Sequence, residues 1–204
     1  MTTAPDPGDW DQALTDLLAA EEASADGAGL GGFEAGEQAP EVAVLVLGVG
    51  EPWLLAALLK GPQIAARALA AEGIGLAVLE DPAEEAALEA ARTASGTLRG
   101  QQLLLLRRGE SADPAAGDVQ AYIYVDGQEV QRVSPGLVLA QAPQLLEDLL
   151  IDPAAAARAL DRAIRVADVS AAEAIGIIGR SVGSARKARR GRRPRAAGDS
   201  GGTA

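Results

Sequence analysis

The chemistry open to this chain is that of its carboxylates or none at all, because its 204 residues include no histidine and no cysteine. That excludes thiol nucleophiles, disulfides, imidazole bases, zinc-finger patterns and Ser-His-Asp triads. Paired carboxylates could still move protons. Glu84, Glu85 and Glu89, however, lie on one surface of an alanine-rich helical stretch and read as a solvated face. Asp161 and Arg165 are four apart and read as a helical ion pair. Asp126 belongs to a turn for local reasons. The cluster Gly48-Val49-Gly50 follows an apolar run and precedes a helical stretch, an arrangement that can aim backbone N–H groups at phosphate. A third glycine at the fingerprint spacing is missing, Trp53 stands in its place, and Glu51 would repel an anion. A tight turn accounts for the cluster better. No carboxylate stands where catalysis is demanded, so neither an autonomous enzyme nor a metal site is expected.

Charge narrows the partners. The formal net charge is −11, yet eight basic residues and no acid lie between Arg180 and Arg195. The preceding 179 residues carry 10 basic and 28 acidic side chains, a net of −18. Such a body repels phosphate backbones, so nucleic acid could be met only by the tail, through Arg186, Lys187, Arg189, Arg190, Arg192 and Arg193. A solvated tail is the ordinary reading of such a run, and an acidic partner, including the chain's own body, is another. No stretch reaches the roughly 18 apolar residues of a membrane span, and Met1 to Gly8 lacks the pattern of a signal peptide. The expected location is the cytoplasm.

The elements that must position these groups divide the chain into four parts. Residues 1–40 read as a leader, in which Trp10, Leu14, Leu17 and Leu18 share one helical face and Asp9, Asp11 and Asp16 load the other. A Gly/Ala/Glu-rich linker follows. Four apolar residues cannot hold an isolated helix, so this segment either docks on the body or is an address for something else. Residues 41–150 read as an α/β domain, with a core of Ala, Leu, Val and Ile because only 2 % of the chain is aromatic. Residues 153–183 read as a long amphipathic helix, and residues 184–204 as a basic, disordered tail.

Within the domain, Val42–Val49 reads as a strand buried on both faces, and Glu51–Leu59 as a helix. Gln63–Glu72 reads as a helix capped by Gly73, and Ile74–Leu79 as a second strand. Asp81-Pro82 should open the next helix, with Asp81 as N-cap and Pro82 at its first position, and Gln101–Leu106 is a third strand. Strand and helix alternate with short connections, which predicts βαβ units and a parallel sheet. Asp126-Gly127 between Val119–Val125 and Gln128–Val133 predicts a two-residue hairpin. The expectation is a three-layer mixed sheet, parallel in its first half and antiparallel at the hairpin. Ser134-Pro135-Gly136 should end the hairpin, and Pro143–Leu150 should be helical. Leu160, Ile164, Ala167, Ala171, Ile175, Ile178 and Val182 recur at spacings of three and four, a seam for the body or another chain. Leu160, Ile164, Ile175, Ile178 and Val182 are therefore the candidate partner interface.

The order from Val42 to Leu150 resembles the anticodon-binding domain of class II aminoacyl-tRNA synthetases. A second resemblance reaches particular residues. Gly36-Glu37-Gln38-Ala39-Pro40-Glu41-Val42, the Gly61-Pro62 break and Ala71-Glu72-Gly73-Ile74 look like the opening of the medium subunit of cobalamin-dependent diol and glycerol dehydratases, an opening shared by the small subunit of their reactivating factor. Ser134, Gln141, Ala142 and Pro143 match the medium subunit in spacing, and Asp81-Pro82 to Ser95 looks more like the reactivating factor. These resemblances imply an anticodon-binding-like fold, cobalamin as cofactor with Ser134 and Gln141 as candidate contacts, and a leader of the kind that directs enzymes into bacterial microcompartments. The medium subunit's Ser-Gly-rich strand and Gln-Ser-Lys-Gly turn are absent, and Asp126-Gly127 stands where Lys-Gly belongs. A scaffolding or subunit-exchange role survives that exchange of cation for anion better than cofactor binding does.

Three functions are expected from these readings. The first is a non-catalytic subunit or accessory factor of a dehydratase. The second is an RNA-binding module using the basic tail. The third is a homo-oligomeric interaction protein held by the seam.

Overall fold

The computed structural model describes residues 41–109 and 119–191, with side chains as far as Ser181. Seven strands form one sheet: β1 (Val42–Leu47), β2 (Ala66–Ala71), β3 (Ile74–Leu79), β4 (Gln102–Arg108), β5 (Val119–Val125), β6 (Gln128–Val133) and β7 (Ile164–Arg165). Their spatial order is β6-β5-β4-β1-β3-β2-β7, and every pairing is antiparallel. The helices are α1 (Pro52–Lys60), α2 (Glu84–Thr97), α3 (Pro135–Gln141), α4 (Gln144–Ile151), α5 (Pro153–Leu160) and α6 (Ala171–Gly191), with a 3₁₀ turn at Val166–Asp168.

The expected parallel half is absent, and the reason lies in residues 66–71. They form a strand rather than the expected helix. Glu72 and Gly73, with φ of 49° and 89°, make a two-residue hairpin turn instead of a helix cap. β3 then folds back between β2 and β1. The crossover β1-α1-β2 does join strands of the same direction, but β3 separates them. The crossover β3-α2-β4 likewise joins parallel strands separated by β1. Two interlocked split βαβ units result, the βαββαβ connectivity of ferredoxin-like sheets. The β5–β6 hairpin extends this unit past β4, with Asp126 and Gly127 at φ of 50° and 81° as the sequence predicts.

Both faces of the sheet are covered. Leu45, Leu47, Leu103, Leu105, Ala66 and Ala68 pack with Leu55 and Leu59 of α1, Ala87 and Ala91 of α2 and Ala174 of α6. On the other face, Val44, Val46, Leu76, Leu104, Leu106 and Ile123 pack with α3 and α4 through Val138, Leu139, Leu146, Leu149 and Leu150. α5 adds Ala156, Ala159 and Leu160 to that side. The three-layer α/β architecture therefore stands.

The glycine cluster is a packing device. A side chain on Gly50 would place its Cβ 2.6 Å from the carbonyl oxygen of Gly73, so the loop is closed against the β2–β3 turn. α2 begins two residues later than Asp81-Pro82 suggests; Ala83 is its N-cap residue, and Asp81 Oδ1 accepts from the Ala83 N–H at 3.1 Å. The Arg107 guanidinium is buried and ties three segments together. It donates to Glu41 Oε1 at 3.0 Å and to the Pro82 carbonyl at 3.1 Å, with Glu84 Oε2 at 3.6 Å.

The single long C-terminal helix is not formed. Asp152 caps α5, accepting from the N–H groups of Ala154 and Ala155, but α5 stops at Leu160. Ile164 and Arg165 then pair with Ala68 and Arg67 on the open edge of β2. Arg165 meets Glu80 at 3.3 Å, in place of the expected partner Asp161. Ser170 starts α6 afresh with a reciprocal cap: its Oγ accepts from the Glu173 N–H, and Glu173 Oε2 accepts from the Ser170 N–H at 2.9 Å. The Ser170 hydroxyl, which donates to Glu173 Oε2 at 2.7 Å, and the Ser170 N–H together hold the Glu173 carboxyl below its ordinary pKa.

Candidate functional site

The break at residue 161 divides the expected seam. Leu160 is half-buried against the α3–α4 side, whereas Ile164 packs into the opposite face of the sheet. Ile175 and Ile178 stay together on α6. Val182 lies in the α6 backbone, with its side chain outside the described residues. Arg186, Lys187, Arg189 and Arg190 also fall within α6 by backbone only, and Arg192 and Arg193 lie outside the described residues, as does the whole leader. Ser134 and Gln141 sit at opposite ends of α3, Ser134 as the N-cap residue and Gln141 exposed as the last residue.

What the structure does assemble is a face made by α1 and α6. Pro52 at the first position of α1 fixes the entry, and Leu55, Ala56 and Leu59 face the core. α6 crosses over α1, burying Ala174 and half-burying Ile177 and Ile178. That spacing of three and four uses one stripe of α6 and leaves Ile175 outside it, 74 % exposed. Trp53, on the first turn of α1, is 50 % exposed.

A groove runs along each side of α6. One, of about 600 Å³, is lined by Ala57, Lys60, Gln63, Ile64, Ile175 and Ile178, with Val166 and Ala171 closing its floor. The other, of about 880 Å³, has Trp53, Ile177 and Gly176 on its walls and Glu51, Glu173 and Arg180 at its rim. The first is the more apolar. Its cation, Lys60, is held by the backbone: Nζ donates to the carbonyls of Val166 at 3.4 Å and Ala167 at 3.2 Å. No carboxylate among the described residues pairs with it, so its charge is available to an incoming acid. Gln63 sits at the same rim with φ of 62°, a left-handed conformation that costs a non-glycine residue about 1 kcal/mol or more. The Gln63 N–H reaches the Lys60 carbonyl at 3.1 Å, which tightens the exit from α1 into β2.

Trp53, Lys60, Gln63 and Ile64 are site residues that the sequence did not single out for this role. In the sequence Trp53 marks only a missing glycine, and the local pattern around Ile64 predicts a helix. The sequence did carry one unused signal: Ser170 and Glu173, three apart before an apolar run, are the signature of a fresh helix start. Among the described residues no group of three or more acidic side chains is placed to hold a metal ion, and no helix is long and apolar enough to cross a membrane. No family model, curated protein or solved structure matches the chain.

Proposed function

We propose that this chain is a non-catalytic accessory subunit that works by docking a protein partner on the α1–α6 face. The observation that carries the reading is a largely exposed Ile175 beside an apolar groove along α6, with a half-exposed Trp53 in the groove on the other side of the same helix. Large apolar side chains at the rim of a groove are the anchors that protein interfaces use. The partner's chemistry follows from the rim. Lys60 has no carboxylate partner among the described residues, and α6 continues toward Arg186, Lys187, Arg189 and Arg190, so an amphipathic helix with an acidic polar side fits best. A dehydratase subunit is the partner that the sequence resemblance suggests.

The test is site-specific photo-cross-linking in the cells that make the protein, with the probe at position 175 and, as control, at the exposed Val130 on β6. A discrete protein adduct at 175, absent at 130 and lost with Lys60→Glu, supports the reading. Equal adducts at both positions, or none at 175, overturn it. A second reading, RNA contact, is supported by the helical backbone running to Gly191, which presents the basic residues on a helix. Binding of RNA that weakens steeply with salt and is lost with Arg186→Glu/Arg189→Glu would favour it.

A further inference from the structure

We infer that the groove between α6 and the end of α1 is occupied by this chain's own N-terminal segment, with Trp10, Leu14, Leu17 and Leu18 seated beside Ile64, Ile175 and Ile178. The inference rests on the reading of the α1–α6 face as a docking surface and names its resident occupant.

Three observations point to this segment. The first is charge. Residues 1–40 carry nine acidic side chains and no basic one, while the stretch from Arg180 to Arg195 carries eight basic and no acidic ones. The acidic side of the amphipathic segment, with Asp9, Asp11 and Asp16, therefore has Lys60 to meet at the groove itself, with the basic stretch following farther along the sequence of α6. The second is reach. β1 and β2 start at the same end of the sheet, because Ala66 pairs with Leu79 and Val44 with Val78. With only β3 between them, Glu41 lies roughly 10 Å across the sheet from the groove's entrance at Ala65. A chain of 22 residues, the number from 19 to 40, can reach on the order of 25 Å, ample for that distance.

The third is mutual need. A short helix with a four-residue apolar stripe does not persist alone in water, and Ile175 is an apolar side chain with no cover among the described residues. Seating one on the other removes both costs. Tethering presents the segment at an effective concentration in the millimolar range, so modest intrinsic affinity is enough. A partner helix of the same chemistry must then displace the leader, which sets a threshold for docking.

The chain's two tryptophans make the test direct, because Trp53→Phe leaves Trp10 as the only tryptophan, excited selectively at wavelengths that tyrosine does not absorb. In the full-length Trp53→Phe protein the inference predicts a blue-shifted Trp10 emission, resistant to acrylamide quenching. Adding Ile175→Asp should raise the quenching constant severalfold and shift emission toward that of a hydrated indole. Leu14→Asp/Leu17→Asp should do the same, with the circular dichroism of the body unchanged in both variants. A fully quenchable Trp10 in the parent overturns the inference, as does protection that Ile175→Asp leaves intact. Protection that disappears on dilution also overturns it, because the leader would then sit on a second copy. Failure here leaves the cross-linking result at position 175 standing. Loss of both removes the docking face itself.

Discussion

The two sides of the sheet differ in how they are finished. The side under α3, α4 and α5 is sealed by leucines from short consecutive helices, and Leu146, Leu149 and Leu150 are almost wholly buried there. The side under α1, α2 and α6 has a core as tightly closed at Leu45, Leu55 and Leu105, yet its outer layer leaves Trp53 and Ile175 in the open. One side ends where stability requires. The other extends past that point, and the surplus apolar surface is what a docking face looks like. Substitutions should therefore separate cleanly: those on the sealed side should change folding, and those at Ile175 should change association.

The largest effect is expected for Leu146→Ala, which empties a fully buried site and should cost about 2–5 kcal/mol in urea unfolding. A cost below that of an exposed substitution would mean that α4 is not packed as described. Arg107→Ala should rank next. It removes hydrogen bonds to a carboxylate and a carbonyl from a buried cation, at roughly 1.5–3 kcal/mol, while leaving Glu41 and Glu84 able to rehydrate. Its signature beyond stability is faster amide exchange at the start of β1.

Ser170→Ala is expected to cost about 1 kcal/mol, felt as fraying of the first turn of α6 in hydrogen exchange. The same cap carries a pH dependence. Glu173 has its pKa lowered in the fold by hydrogen bonds from Ser170, so its contribution is fully present above the ordinary carboxylate range. It is lost as pH falls through the lowered value, and Glu173→Gln should flatten that part of the acid unfolding curve. The smallest effect on folding belongs to Ile175→Asp, expected within about 0.5 kcal/mol of the parent. A large destabilisation there would move Ile175 into the core and erase the contrast between the two sides.

How much of this was legible shows best in the two hairpins. Asp126-Gly127 and Glu72-Gly73 adopt nearly the same turn. Val, Tyr and Ile flank the first, and strand chemistry is plain there. Ala66, Ala68, Ala70 and Ala71 precede the second, and alanine is the best helix former, so local propensity pointed the wrong way until pairing with β3 overrode it. That single element changed the sheet from mixed to antiparallel. α3 was also unread, although Ser134-Pro135 is a plausible helix start. Of the candidate interface, Ile175 and Ile178 were legible from spacing alone. Lys60, Gln63 and Ile64 join them only through the tertiary crossing of α6 over α1, which no local pattern encodes. Leu160 and Ile164 share one stripe by periodicity alone, because the pattern runs on through the break after Leu160, where Ile164 and Arg165 leave the helix to pair with β2.

The claim on which the rest depends is that the α1–α6 face is a docking surface, and the cross-linking yield at position 175 relative to position 130 measures it most directly. The account predicts a specific adduct at 175, on the chain's own leader or on a partner, with background only at 130. Equal yields at the two exposed positions would contradict it.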